Sequence, residues 1–273
     1  MKKGFLLGAL LLGAGAVSAQ GLYVGLQAGY GMGTPGDALG STTVVSATGD
    51  QTQTAIYGSY GGGTNIGLNV GYMFTEHVGA ELGFSYFLGS TLTSNDVTVP
   101  TGQLTVMGKS TQMRLAPSLI VTTGGDFAVY GKGGLIFPVG GSILYEYRDN
   151  MNPLAIVERD FEATGAISLG FQGAIGVNYT LSDNLSIFGE FSAVNLRIKS
   201  ATNTMTRNSV AGVDVLSAMD TYDIETTFVD ELSPSSNNAG YNTDYSTASA
   251  KQDLATTTNY NGMFFNIGVK YNF

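Results

Sequence analysis

The chain has 273 residues, with 39 Gly, 15 Tyr and 14 Phe but only 12% charged side chains and no Cys. Charged residues normally make up about 25% of a soluble domain, so this sparse a set excludes a well-solvated water-facing surface, and the lack of Cys excludes a fold stapled by disulfides. The formal balance is −9; without Lys2 and Lys3 it is 10 basic residues against 21 acidic, or −11, which argues against nucleic acid as a partner.

Met1-Lys2-Lys3, the apolar run Gly4 to Val17 and the small-residue exit Ser18-Ala19-Gln20 form the three parts of a secretory signal. Residues 1–19 are therefore expected to be a signal peptide cleaved after Ala19, and 20–273 a single exported domain. The leader is too short to span a bilayer, and no later segment offers the ~20 consecutive apolar residues of a spanning helix. A chain of this kind enters a membrane with strands.

Alternation with period two begins at once. Leu22, Val24, Leu26, Ala28, Tyr30 and Met32 share one face, and Tyr23, Gly25, Gln27, Gly29 and Gly31 share the other. One face is continuous grease, the other small or polar, which fits a narrow lumen. The second strand places Ile66, Leu68, Val70, Tyr72 and Phe74 outward. The third places Val78, Ala80, Leu82, Phe84, Tyr86 and Leu88 outward, after a link of only Thr75-Glu76-His77. So short a link joins antiparallel neighbours. A fourth strand is expected over Ser110 to Val121, a fifth from Phe127, a sixth down to Tyr179, a seventh from Leu185, and an eighth ending the chain.

Short links (Thr122 to Asp126, Thr180 to Asn184) alternate with long ones near 34–63, 92–108, 148–162 and 200–258, rich in Ser, Thr, Asn, Asp and Gly. This asymmetry is that of transmembrane barrels, and termini on the short-turn side require an even strand count. The reading is an all-β, antiparallel, up-and-down transmembrane β-barrel of eight strands with long extracellular loops. Ten strands is the alternative, the extra pair drawn from the last loop, where Tyr222, Ile224, Thr226 and Phe228 still alternate. Tyr30 and Tyr86 toward the loop ends, and Tyr72, Phe74, Tyr179, Tyr271 and Phe273 at the turn ends, stand where interface belts belong.

The final strand puts Met263, Phe265, Ile267, Val269, Tyr271 and Phe273 on the lipid face and ends on an aromatic residue. Here the chain resembles the small outer-membrane barrels of the OmpA transmembrane-domain, OmpX and OmpW types. The resemblance implies a Gram-negative outer-membrane location, and an assembly signal in Phe265, Ile267, Val269, Tyr271 and Phe273 that the barrel-assembly machinery reads. Outer-membrane lipids and lipopolysaccharide are the implied surroundings. No peptidoglycan-binding domain is expected after the last strand, in departure from full-length OmpA.

Inside the barrel, alternation gathers Glu81, Arg114, Lys132, Glu190 and Lys270. Ions in so narrow a space are costly unless paired, and the similar small barrels carry interior charge networks, so a structural role is favoured over a charge-lined conduction path. Gly31-Met32-Gly33-Thr34-Pro35-Gly36 has the G-x-G-x-x-G spacing but lacks the βαβ unit of a dinucleotide site, and Ser182-Asp183-Asn184 lacks a companion Ser-x-x-Lys. Barrel enzymes of the outer membrane generally rely on a histidine near the cell surface. The single histidine, His77, is expected in a periplasmic turn at the wrong end, and it gathers no triad or metal cluster. The last loop carries Asp214, Asp220, Asp223, Glu225, Asp230, Glu231, Asp244 and Asp253 against Arg207 and Lys251. Oxygen-rich loops suit divalent ions, yet no spaced ligand loop is recognisable, and solvation explains the charges. No catalytic residue, cofactor or metal site is expected. The leading functional reading is a non-enzymatic surface protein whose loops serve envelope integrity, adhesion or host contact, with an extracellular ligand taken by the loops. The rival is a small pore or an OmpW-like conduit for ions or apolar compounds.

Overall fold

The computed structural model describes residues 21–273; the expected leader and its cleavage point at Ala19 lie outside the described residues. In chain order the strands are β1 (Leu22–Gly33), β2 (Asp37–Val45), β3 (Gln51–Gly58), β4 (Gly63–Met73), β5 (Val78–Gly89), β6 (Leu92–Val99), β7 (Gly102–Thr122), β8 (Phe127–Asp149), β9 (Val157–Gly165), β10 (Gly170–Ser182), β11 (Leu185–Asn195), β12 (Arg197–Val210), β13 (Val213–Asp214), β14 (Glu225–Val229), β15 (Lys251–Leu254), β16 (Thr257–Asn259) and β17 (Gly262–Asn272).

Eight of them form the wall. β1 pairs with β4, and the antiparallel ladder continues through β5, β7, β8, β10, β11 and β17 back to β1. The closing seam runs from Tyr23↔Asn272 to Gly33↔Gly262, and the Phe273 amide donates to the Leu22 carbonyl at 3.1 Å. Closure leaves the wall no free edge. The ten-stranded alternative is not realised, because β14 pairs with β12 and β15 beyond the wall.

Each wall strand is apolar on its outer face. Leu26, Ile66, Leu82, Leu119, Ile175 and Ile267 are exposed, while Asn69, Glu81, Gln112, Arg114, Glu190 and Asn266 are buried. This inversion of the soluble pattern follows from the alternation: a one-residue slip would send every charge to the lipid face. Glycine serves the interior by space as much as by flexibility. Gly71 lies under the Tyr23 ring, and a Cβ there would fall within the ring atoms.

Above the wall the chain builds a second layer, a crown. β7 and β8 run 21 and 23 residues, about twice the ~9–11 needed to span, and their upper halves pair with β6 and β9. The hairpin β2–β3 joins the crown by a parallel pairing of β2 with β6, and β9 pairs with β12. Much of what the sequence presents as long polar loops is therefore strand. Between β8 and β9 only residues 150–156 remain irregular. The alternation at Tyr222, Ile224, Thr226 and Phe228 yields a strand only from Glu225. Residues Thr221–Ile224 form a single helical turn, in which the Tyr222 ring packs 4.7 Å from that of Tyr245 and its amide donates to the Thr247 carbonyl at 3.0 Å. Those tertiary contacts outweigh a four-residue pattern.

The wall is interrupted at one level. β8 pairs with β10 up to Ile136↔Gly170 and with β9 from Ser142↔Thr164, so residues 137–141 have no ladder on that side. Pro138 lacks an amide donor, the register against β7 shifts between Met113 and Arg114, and Gly141 holds φ +127. The chain after β9 turns to β12 instead, where the Ala166 amide donates to the Lys199 carbonyl at 2.8 Å. A cavity of about 230 Å³ opens at this break, lined in part by Val139, Ile143, Ile167, Ile198 and Phe228.

Candidate functional site in the barrel lumen

The lumen holds two layers of different chemistry. In the lower layer β8 delivers Lys132 between Glu81 on β5 and Glu190 on β11, with Nζ 3.0 Å from Glu81 Oε1 and 2.7 Å from Glu190 Oε2. Tyr23 donates to Glu81 Oε2 at 2.8 Å, and Tyr130 donates to Glu190 Oε2 at 3.0 Å. Both carboxylates are thus held by a cation and a phenol together, the condition under which buried ions are tolerated. Lys270 makes no ion pair among the described residues. Its Nζ sits 4.3 Å from the Tyr23 ring centroid, 5.6 Å from that of Tyr130 and 5.8 Å from that of Phe188, where ring faces attract a cation. Two acids and two bases balance here.

Arg114 stands apart from these four. Ser85 faces Arg114 and Glu81 faces Ser118, so four residues, roughly 13 Å of strand, separate Arg114 from the level of Glu81. Its Nε donates to Gln112 Oε1 at 2.7 Å, and its Cζ lies 4.1 Å above the Phe87 ring. Of the five lumen charges anticipated from alternation, the structure joins Glu81, Lys132 and Glu190 directly, Lys270 through aromatic rings, and Arg114 to neither.

An apolar plug closes the lumen above Arg114. Tyr60, Phe87, Leu196, Tyr260 and Phe264 are buried in one cluster with Ile136, Ile143, Val194 and Ile198. Phe87 and Phe264 meet edge to face at 5.9 Å. The plug hangs from hydrogen bonds between distant segments: the Tyr60 amide donates to the Asn259 carbonyl at 2.9 Å, the Tyr260 amide to the Leu196 carbonyl at 2.9 Å, and the Ser110 hydroxyl to the Tyr60 carbonyl at 3.0 Å. Sequence reasoning missed Tyr60, Leu196 and Tyr260. The available signal was a lone large apolar residue in a Gly- or Asn-rich run, as in Ser59-Tyr60-Gly61 and Asn259-Tyr260-Asn261.

Outside the lumen, Phe265, Ile267, Val269, Tyr271 and Phe273 all present exposed side chains on the outer face of the last strand, with the Tyr271 and Phe273 rings 5.0 Å apart. His77 lies in the turn after β4, its Nδ1 3.1 Å from the Thr122 carbonyl. Among the described residues no group of three or more His, Cys, Asp or Glu is placed to hold a metal. In the crown Arg148 meets Asp160 at 2.6 Å, Arg207 pairs with Glu158, and Lys199 with Asp230. The hydrogen bond from Lys251 holds the Asp253 carboxyl below the usual carboxylate range. Burial, reinforced by the nearby Asp149 carboxylate, pushes the Tyr147 phenol up. Four of the loop charges noted in the sequence, Asp230, Asp253, Arg207 and Lys251, are thus paired.

A family model described as outer membrane protein beta-barrel domain matches residues 6–215. No curated protein matches the chain. Among solved structures the chain is similar to Neisserial surface protein A at 11% identity, covering 94% of this chain and 98% of that one, with TM-score 0.39. It is similar to the outer membrane protein OprG from Pseudomonas aeruginosa at 14% identity, covering 93% and 96%, with TM-score 0.46. It is also similar to the outer membrane protease OmpT from Escherichia coli at 9% identity, covering 95% and 99%, with TM-score 0.27.

Proposed function

Because the chain belongs to the outer membrane protein beta-barrel family, we propose that it acts as a non-enzymatic anchor in the bacterial outer membrane that presents its crown as a recognition surface. The observation that carries this reading is the filled lumen: an ion-paired layer below and an apolar plug above stand in the way of a continuous path, while the long strands raise an ordered polar surface beyond the bilayer. Outer-membrane lipids and lipopolysaccharide surround the wall in this reading, the barrel-assembly machinery recognises the last strand, and the crown takes an extracellular ligand. Trypsin applied to intact cells tests the presentation. Crown peptides cut at Arg207 or Lys251 should be released while the wall stays protected; a crown resistant on intact cells yet cleaved in lysed ones would place it on the periplasmic side and end the proposal.

The break in the wall favours a second reading, a conduit for apolar compounds that enters sideways from the membrane. The chain has no Trp, so Ile198→Trp places a single indole in the cavity wall. Quenching of its indole emission by brominated acyl chains would support the conduit, and an unquenched emission would leave the anchor as the better account.

A further inference from the structure

Charge pairing in the lumen leaves one cation over. The lower layer pairs two acids with two bases, but Arg114, only 2% exposed, forms no ion pair among the described residues. Its Nη2 has no hydrogen-bond partner. A buried guanidinium without a counter-charge is among the more costly arrangements a protein can hold, and buried donors are otherwise nearly always satisfied. Arg114 lines a buried chamber of about 50 Å³ between the two layers, together with Asn69, Gln172 and Asn266. Each of these amides gives one N–H to a neighbour: Asn69 Nδ2 donates to Gln27 Oε1 at 3.2 Å, Gln172 Nε2 to Ser118 Oγ at 2.9 Å, and Asn266 Nδ2 to Ser192 Oγ at 3.2 Å. An amide nitrogen carries two N–H groups, so each keeps one to donate.

We propose that this chamber binds a single monatomic anion, a halide such as chloride, as the counter-ion of Arg114. A guanidinium and three amides around a small space form a donor-rich pocket suited to an anion. The volume exceeds the ~10–15 Å³ that one water needs, which admits a halide with a water or two. Asn266 Oδ1 is an unpartnered acceptor on the same chamber. It calls for a donor, which a water bound to the anion supplies. Glu81 and Glu190 also line the chamber, but Lys132 lies between them and, together with Lys270 on the adjoining rings, balances their charge, so the anion belongs at the Arg114 end. The ion would complete the charge balance of the lumen and block it at the same time.

Two measurements on the full mature chain, refolded in a non-ionic detergent, test this. Crystals grown with sodium bromide as the only halide should give an anomalous peak within hydrogen-bond distance of the Arg114 guanidinium. The thermal midpoint, followed by circular dichroism, should stand several degrees higher in chloride or bromide than in gluconate at equal ionic strength, saturating with halide concentration as ligand linkage requires. Arg114→Gln should abolish that difference. The two wild-type measurements decide the matter even if the variant does not fold: no bromide peak together with equal midpoints in halide and gluconate would mean that water alone solvates Arg114, and the site would be lost.

Discussion

Lys132 is the residue on which the lower lumen turns. It is the only group in direct ion contact with both Glu81 and Glu190 among the described residues, so Lys132→Met should leave two buried carboxylates with only phenol donors. Breaking a buried pair in this way costs about 3–5 kcal/mol. Glu190→Ala is expected to cost less, since Lys132 keeps Glu81 while Tyr130 loses its acceptor. Urea unfolding of the refolded protein checks both, and a Lys132→Met midpoint equal to wild type would show that the layer is solvated. In the Lys132→Met, Glu190→Gln double variant the losses should fail to add, with a coupling of about 0.5–3 kcal/mol, because the two side chains touch. Alternation places these side chains in one lumen but does not say at which height. Adjacent strands are staggered around a barrel, so Arg114 and Glu81 share a face and still miss each other.

At the scale of the strand, β17 carries the closure. It pairs with β1 on one side and β11 on the other, and its outward residues face lipid. Ile267→Arg should cost about 2–4 kcal/mol if it lies near the midplane and lower the fraction of heat-modifiable protein in the outer membrane. Tyr241→Arg, on an exposed crown loop, should not. Equal outer-membrane levels for the two variants would refute the facing. Such wall strands were legible because period-two alternation over eleven or twelve residues has no competing explanation, and because three short turns fixed their order. The crown was not. β2, β3 and β9 are rich in Thr, Gln, Glu and other polar residues that face water on one side, so they lack the apolar stripe that marks a strand. Tyr60, Leu196 and Tyr260 stand out locally only as lone apolar residues, and their assembly into one plug was not legible for a related reason: Ser59 Oγ donates to the Asn261 carbonyl at 2.6 Å across 202 residues of sequence, and no local pattern encodes a contact of that range. The break opposite Pro138 and Gly141 had a local signal, since proline followed by two nearby glycines in a strand argues for a bulge, but its outcome depends on where β9 goes.

For the molecule as a whole, the two lumen layers lie in series, and that ordering decides its electrical behaviour. Eight strands make an interior that side chains just fill, so an ion must displace both the plug of Tyr60, Phe87, Leu196, Tyr260 and Phe264 and the pairs around Lys132 before it crosses. Resistances in series are set by the larger, so opening one layer leaves the other in control. The wild type in a planar bilayer should show no large steady current. Tyr60→Ala with Tyr260→Ala should remain closed too, because Glu81, Lys132 and Glu190 still occupy the bore. Adding Glu81→Ala, Lys132→Ala and Glu190→Ala to that pair removes both barriers, together with the ions that hold one another in the lower layer, and discrete conductance steps should then appear. Heat-modifiable migration of each variant in SDS gels confirms that the wall has closed before any current is interpreted. Large, steady, ohmic channels from the intact protein would overturn the filled lumen and with it the anchor reading, whereas steps from the plug variant alone would assign the whole barrier to the aromatic layer.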